Sequence, residues 1–360
     1  GTVEASWQID LFGQIRTQVA ASKARFHAAE LDREALLHSL IAELVRRHIA
    51  LASLKEQLSL ANAIVDNRQA LLDLTTRRYQ SGVEGVAAAD VHVARQALAS
   101  VKTDIPEIRQ AMKQESYALD VLLGRRPGTY TDKTAGARLD PPPLDVPVGV
   151  PAYLLDRRPD LRSAELRLMA ENHDIGVAVA DLYPSFSITG AIGFEDDTTH
   201  DILRSERMLG NLITQMTTRL FEGGALRARI RLAEAEKQEL VASYARNVLI
   251  ALQEVETALM QEQKIDQRLA LIDDQITAVQ ARMDADKKRF ESGIISLAEY
   301  LESELDLYSA RLGKITGQEA KWNARINLYL ALGGDWIDDM HIHGNPALAN
   351  DGQMNTGRAG

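Results

Sequence analysis

The chain offers carboxylates, imidazoles and paired glycines, but few of them at a spacing that covalent chemistry uses. Phe221-Glu222-Gly223-Gly224 carries adjacent glycines, yet no phosphate-loop Lys follows them. Neither GxxxxGK[ST] nor HExxH occurs. His341 and His343 are two imidazoles in the C-terminal tail, too little to read as a metal site. Cysteine is absent, which excludes a disulfide framework and thiolate chemistry. No catalytic constellation emerges, so the expectation is a protein that is not an enzyme and needs no cofactor. Glu299 and Glu302 stand three residues apart, which puts both carboxylates on one helix face.

The elements that position these residues follow from where the helix breakers fall. Residues 14–81 and 225–292 contain neither Gly nor Pro and are rich in Ala, Leu, Arg, Glu and Gln. At ~1.5 Å per residue each window spans roughly 100 Å as a helix. Val248, Leu252, Val255 and Leu259 step by four, three and four, and Leu269, Ile272, Ile276, Val279 and Met283 continue that spacing. Leu40, Leu44, Leu51, Leu54 and Leu58 follow it with one gap. Sustained three-four spacing predicts a narrow seam packed knobs-into-holes, with the charges on a solvated face.

The two windows are copies of one unit. Gly13-Gln14-Ile15-Arg16 aligns with Gly224-Ala225-Leu226-Arg227, and Arg78-Tyr79-Gln80-Ser81-Gly82-Val83 with Arg289-Phe290-Glu291-Ser292-Gly293-Ile294, both at an offset of 211. Beyond this turn Asp90 matches Glu299 and Leu123-Gly124 matches Leu332-Gly333, at an offset of 209. A two-residue insertion within 83–89 of the first copy accounts for the change. Each copy reads as a long helix, a Ser-Gly turn and a return helix, over about 88–123 (interrupted near Pro106) and 296–332. Short turns make the paired helices antiparallel, with Gly82 and Gly293 at the tips.

A Pro-rich linker, 126–160, separates the copies. A helix is predicted over 161–181, with Asp160 as its N-cap and Pro184 as its stop. The period then changes to two. Phe186, Ile188, Gly190, Ile192 and Phe194 share one face of a predicted strand. Asn211 to Phe221 places Leu212, Met216 and Leu220 opposite Gln215, Thr217 and Arg219. Glu4 to Leu11 places Ala5, Trp7, Ile9 and Leu11 opposite Ser6, Gln8 and Asp10. This alternation fits a half-buried soluble sheet. It also fits barrel strands of ~9–11 residues, apolar toward lipid. Two or three strands attached to helices of roughly 100 Å cannot cover a soluble sheet face economically. Strands pooled from several subunits into one closed barrel satisfy every backbone group in lipid.

Composition agrees with a folded protein lacking a helical membrane span. The chain has 360 residues, 45% of them hydrophobic, with 41 Lys and Arg against 51 Asp and Glu and a net charge of −10. That is enough apolar material for a core, and the acidic balance argues against nucleic acid as a partner. No run approaches the ~20 continuous apolar residues of a membrane helix. Residues 1–10 show neither an initiator Met nor a leader pattern, so the expectation is that an N-terminal piece has been lost.

The segment from Leu154-Leu155-Asp156-Arg157-Arg158-Pro159-Asp160-Leu161-Arg162-Ser163-Ala164-Glu165, through Ile175-Gly176-Val177-Ala178, to Leu182-Tyr183-Pro184-Ser185-Phe186-Ser187 resembles the outer-membrane factor family. These are TolC-like outer-membrane efflux channels, and the likeness is greatest to their NodT-type lipoprotein branch. Ile9-Asp10-Leu11-Phe12-Gly13, Leu220-Phe221-Glu222-Gly223-Gly224, both Ser-Gly turns and the Leu-Gly repeat ends extend the resemblance over about residues 1–335. Arg219 departs from it, standing where relatives usually have an apolar residue or Pro. Phe290 and Ile295 occupy positions where some relatives have Tyr or Arg gating links, and the tail beyond about Asp335 has no counterpart.

The resemblance implies a mainly α fold with a few β-strands. It combines a barrel of long helical hairpins with strands given to a trimeric transmembrane β-barrel, around an internal two-fold repeat. Residues 1–125 then form the first repeat, 126–160 the linker, 161–335 the second repeat and 336–360 a disordered tail. The implied function is the outer-membrane channel of a tripartite efflux system, a passive conduit for drugs or other small molecules. The alternative is a soluble or peripheral coiled-coil scaffold. Implied partners are two further copies in a homotrimer, a periplasmic adaptor, an inner-membrane pump of the resistance-nodulation-division type, and outer-membrane lipid. The implied location is the outer membrane of a Gram-negative bacterium, with a large periplasmic portion and a lipid anchor on an N-terminal Cys that would precede this chain. Family acidic rings at the periplasmic mouth correspond to Glu299 and Glu302, with Asp90 their first-repeat counterpart. The adaptor-contact tips correspond to Gly82, Val83, Gly293 and Ile294.

Overall fold

Uninterrupted helix-forming sequence becomes uninterrupted helix in the computed structural model, which describes residues 2–82, 86–130, 142, 157–194 and 208–334. The elements in chain order are β1 (Thr2–Ile9), α1 (Gln14–Gln80), α2 (Ala88–Leu122), α3 (Pro159–Ala180), β2 (Ser185–Phe194), β3 (Met208–Thr217), α4 (Ala225–Glu291) and α5 (Leu297–Ala331). Helices α1 and α4 have 67 residues each, and α2 and α5 have 35 each. The predicted 126–160 linker is mostly outside the described residues, and the 336–360 tail entirely so. The chain divides into two compact units, Gly1–Ala35 with Leu155–Ile250, and Leu36–Leu154 with Ala251–Gly360. The breaks after Ala35 and after Ile250 fall inside the long helices α1 and α4.

The first unit holds a three-stranded antiparallel sheet in the order β1-β2-β3. Its register puts Ala5, Gly190 and Leu212 in one row, Trp7, Ile188 and Thr214 in the next, and Ile9, Phe186 and Met216 in the last. These rows share one largely apolar face, because directly opposed residues of an antiparallel ladder point the same way. The other face carries rows such as Gln8, Ser187 and Gln215, and Ser6, Thr189 and Ile213. Ser6 Oγ and Thr189 Oγ1 are hydrogen-bonded across that face at 3.1 Å. Much of the apolar face is exposed among the described residues: Val3 and Trp7 are each 77% exposed and Leu212 is 75% exposed.

Two strands differ in extent from the sequence reading. β1 ends at Ile9 rather than Leu11, and β3 runs Met208–Thr217 rather than 211–221. The register supplies the reason. The β2 ladder begins at Ser185, paired with Thr217, because Pro184 has no N–H to extend it. Leu220 and Phe221 therefore lie past the sheet.

Helix α3 lies against the first part of α1. The N-cap is Arg158 and not Asp160, since Pro159 takes the first helical position, where its fixed φ suits the helix. Asp160 instead accepts hydrogen bonds from Arg158 Nε at 3.1 Å and Nη2 at 2.8 Å. Burial would raise the Asp160 pKa, but the Arg158 guanidinium outweighs it and holds the carboxyl below its ordinary value. A Cβ on Gly176 would stand 2.9 Å from Thr17 Cγ2, so glycine there permits the close helix approach. Ala21, Ala24, Ala28 and Ala170 are buried in the same unit. Ser163 Oγ donates to Asp32 at 2.6 Å, Arg167 pairs with the same carboxylate, and Arg25 pairs with Asp174.

In the second unit small side chains again mark the seams. Ala42, Ile49 and Ile326 form one buried cluster with Val45, Ala52, Trp322 and Leu330 around it. Val255 and Ala331 form another with Leu259 and Leu332. Val255 and Ile272 are buried as the three-four spacing of the second window predicts. The first window departs at Leu40, which is 46% exposed, because the seam there runs through Ala42 and Ile49 instead. Helix α2 is not interrupted at Pro106, which lies inside it. A proline removes one helical N–H and crowds the preceding turn. Buried Leu98 and Val101 before it and Leu119 after it hold both halves in place. Asp120 closes the chain after α2, accepting the N–H of Gly128 at 2.7 Å and the Thr129 hydroxyl at 3.0 Å.

Candidate functional site

The sequence-predicted residues gather where the paired helices of the second unit turn. Helix α1 ends with Gly82 N–H bonded to the Tyr79 carbonyl at 3.1 Å, and α4 with Gly293 N–H bonded to the Phe290 carbonyl at 3.0 Å. Gly82 and Gly293 have φ of 68° and 73°, the left-handed conformation that ends helices and favours glycine. Ile294 is 68% exposed at the second tip. Val83 lies outside the described residues.

Glu299 occupies the third position of α5 and closes a capping box. Its N–H donates to Ser296 Oγ at 3.3 Å, and its own Oε2 accepts the Ser296 N–H at 3.1 Å. Asp90 holds the matching position in α2, where Oδ2 accepts the Ala87 N–H at 2.8 Å. Alanine at that cap supplies no return bond from a side chain. Each of these carboxylates thus serves the start of its own helix. Glu302 is exposed.

The helix starts that carry them are packed together. Ala94, Leu297 and Leu301 are buried against one another, with Leu71, Leu72, Val93, Ala97, Phe290 and Tyr300 around them. Phe290 and Tyr300 stack at 5.4 Å with 8° between the rings. Burial, then the charges of Glu304, Glu291 and Asp284, push the Tyr300 pKa up, so the phenol stays neutral. A cleft of about 360 Å³ adjoins the stack, its lining including Phe290, Tyr300, Glu304, Tyr308 and Arg311.

One feature of this region escaped the sequence reading. Arg68 and Glu304 form an ion pair at 3.0 Å, and Arg68 Nη1 also donates to the Ala97 carbonyl at 2.7 Å. The signal was present: Ile64, Arg68 and Leu72 step by four, and Leu297, Leu301 and Glu304 step by four and three. Both charges therefore sit at seam positions, where an unpaired charge would be costly.

The arrangement is electrostatic in character. Among the described residues no three His, Cys, Asp or Glu converge to hold a metal. Nor, among the described residues, is any helix long and apolar enough to cross a membrane.

Residues 1–125 and 150–334 match the family described as outer membrane efflux protein. The chain belongs to that family. It is 30% identical over 339 residues to the pyoverdine export outer membrane protein OpmQ of Pseudomonas putida, covering 94% of this chain and 71% of that protein. It is 26% identical over 337 residues to the cation efflux system protein CusC of Escherichia coli, covering 93% and 72%. In three dimensions it is similar to the outer-membrane channel OprN, with a TM-score of 0.85 and 32% identity over 92% of this chain and 74% of that one. As an outer membrane efflux protein, the chain is a channel component of an efflux system, located in the outer membrane of a Gram-negative bacterium. The family resemblance read from the Arg-Arg-Pro-Asp segment holds, and the scaffold alternative is set aside. The family consists of channels rather than enzymes.

Proposed function

We propose that the chain is one protomer of a homotrimeric, passive export duct. The observation that carries this reading is the sheet. It has one apolar face, one polar face and no strand beyond β1 or β3 among the described residues. Strands pooled from three protomers would close such a sheet into a barrel, with the apolar face toward outer-membrane lipid and the polar face toward the lumen.

The helices support an internal two-fold repeat. α1 and α4 start and end 211 residues apart, and α2 and α5 start and end 209 apart. The difference of two falls between Gln80 and Ala88, where the sequence comparison puts an insertion. We take 1–125 and 161–335 as the two repeats, 126–160 as their linker and 336–360 as a tail. Helical hairpins of this length suit a conduit through the periplasm. Gly82, Val83, Gly293 and Ile294 would meet a periplasmic adaptor, with a resistance-nodulation-division pump supplying the energy. Glu299 and Glu302, seconded by Asp90, would ring the periplasmic mouth and favour cations. The cargo would be a drug or other small molecule selected by the pump.

Planar-bilayer recording from the full-length protein, with its mass measured in detergent, tests the reading. Discrete conductance steps from a particle of three chains are expected. A monomer that stays soluble without detergent and gives no steps would overturn it.

A further inference from the structure

The chain is acidic, with a net charge of −10, yet the places where strands pass into helices in the first unit carry arginines. Most of these are paired. Arg16 meets Asp10 at 3.2 Å, Arg219 meets Glu222 at 3.4 Å, and Arg229 lies 4.0 Å from Asp181. Arg227 and Arg231 are exposed and make no hydrogen bond or ion pair among the described residues. They stand four apart on α4, so they share a helix face. The first turn of α4 holds no acidic residue, and Arg227, within that turn, lies near the positive end of the helix dipole, which disfavours cations.

The start of α1 shows what is missing. There Asp10 accepts the N–H groups of Ile15 and Arg16 at 3.1 and 2.9 Å and also binds the Arg16 guanidinium. Arg227 is the third residue of α4 as Arg16 is of α1, but among the described residues no carboxylate reaches it.

The apolar surroundings indicate where a counter-charge would come from. Leu220 and Phe221, between β3 and α4, are 92% and 90% exposed. Phe12 and Tyr183, at the ends of the neighbouring elements, stack at 4.7 Å and are also exposed. In chain order the apolar-faced strand β3, the exposed Leu220 and Phe221 and then the arginines follow one another, as hydrocarbon, interface and phosphate do across a lipid leaflet.

We propose that Arg227 and Arg231 hold the phosphodiester headgroup of an anionic phospholipid in the leaflet that adjoins the helices. The proposal rests on the outer-membrane reading above. A guanidinium pair suits a phosphodiester, since each can give two parallel N–H bonds to its oxygens.

The test places the full-length protein in nanodiscs of equal phosphatidylglycerol and phosphatidylcholine and counts retained lipids by native mass spectrometry after mild delipidation. The wild type is expected to keep phosphatidylglycerol preferentially. Arg227→Gln with Arg231→Gln should lower that preference about fivefold per arginine. The Arg227→Lys/Arg231→Lys variant should keep most of it. The preference should fade between about 50 and 500 mM salt. Inorganic phosphate should displace no more lipid than chloride at equal ionic strength.

Equal retention by the wild type and the Gln variant would overturn the proposal. So would greater displacement by phosphate, which would indicate a free-anion site. A Gln variant whose trimer loosens in lipid-free detergent would also overturn it, by making a neighbouring protomer the counter-charge. If the Gln variant fails to fold, a salt-independent preference in the wild type decides against the site. Wild-type protein that does not enter nanodiscs at all would count against the duct reading instead.

Discussion

Arg68 Nε lies 3.0 Å from Glu304 Oε2, with the two side chains only 6% and 9% exposed. With its second bond to the Ala97 carbonyl, the guanidinium ties α1 to both α2 and α5 close to the tips. Removing one partner leaves the other charge buried and uncompensated, which costs about 3–5 kcal/mol. Glu304→Leu and Arg68→Met should therefore each destabilise the protein strongly, and the two together should lose less than Glu304→Leu alone. Denaturant unfolding of the wild type, both single variants and the double variant measures the coupling. Strictly additive losses would show that the pair contributes nothing specific.

Gly176 makes a sharper steric prediction. A methyl group there would stand 2.9 Å from Thr17 Cγ2, closer than packed carbons tolerate. Overpacking of this kind costs typically about 1–3 kcal/mol. Gly176→Ala should lower the unfolding free energy by an amount in that range. Thr17→Ser removes the offending methyl and keeps the hydroxyl that bonds the Gly13 carbonyl at 2.7 Å. The double variant should recover most of the loss, and a failure to recover would place the strain elsewhere.

Much of this architecture was legible because long-range order here repeats local order. The absence of Gly and Pro delimited α1 and α4 to within one residue at each end, since nothing inside either window opposes helix. The alternation of Phe186, Ile188 and Ile192 marked β2, because its face is fixed by a period of two. The ends of β1 and β3 were misjudged because they depend on partners: the ladder stops where Pro184 stops it, which neither outer strand records. Pro106 was read as a break because propensity is local, whereas burial on both sides of it is not. The acidic residues at the tips were found by position. Their capping bonds depend on Ser296 and Ala87, and the Arg68–Glu304 pair on two helices far apart in sequence.

Asp120 sets a pH dependence. Burial would raise its pKa, but the Tyr130 N–H, the Thr129 hydroxyl and the N–H groups of Gly128 and Thr129 bind the charged form and lower it below 3.8. A carboxyl whose folded pKa is depressed adds stability above its unfolded value, and that stability is lost as pH falls through the folded one. The segment 125–130 should therefore loosen below about pH 4 while neutral solution leaves it closed. Hydrogen exchange at Gly128 and Thr129, corrected for the intrinsic pH dependence of exchange, should show the step. Asp120→Asn should abolish it, and a step that persists in that variant would assign the titration to another group.

Glu299 poses the question of whether an acidic tip residue serves the channel or only its helix. Its Oε2 holds the Ser296 N–H at 3.1 Å, and loss of such a cap costs about 1 kcal/mol. Glutamine keeps an oxygen to accept that bond but removes the charge. Glu299→Ala should therefore destabilise the start of α5, and Glu299→Gln should do so less, since it gives up only the charge that favours the positive end of the helix dipole. Glu302, exposed and one turn on, has no capping role, so Glu302→Gln should be neutral for stability. If the two carboxylates line the mouth, both Gln variants should lower cation preference in single-channel recordings, and the Glu299→Gln/Glu302→Gln variant should lower it further. A Glu299→Ala variant that is less stable, beside Gln variants with unchanged selectivity, would reduce Glu299 to a helix cap and place the gate among other residues of the tips.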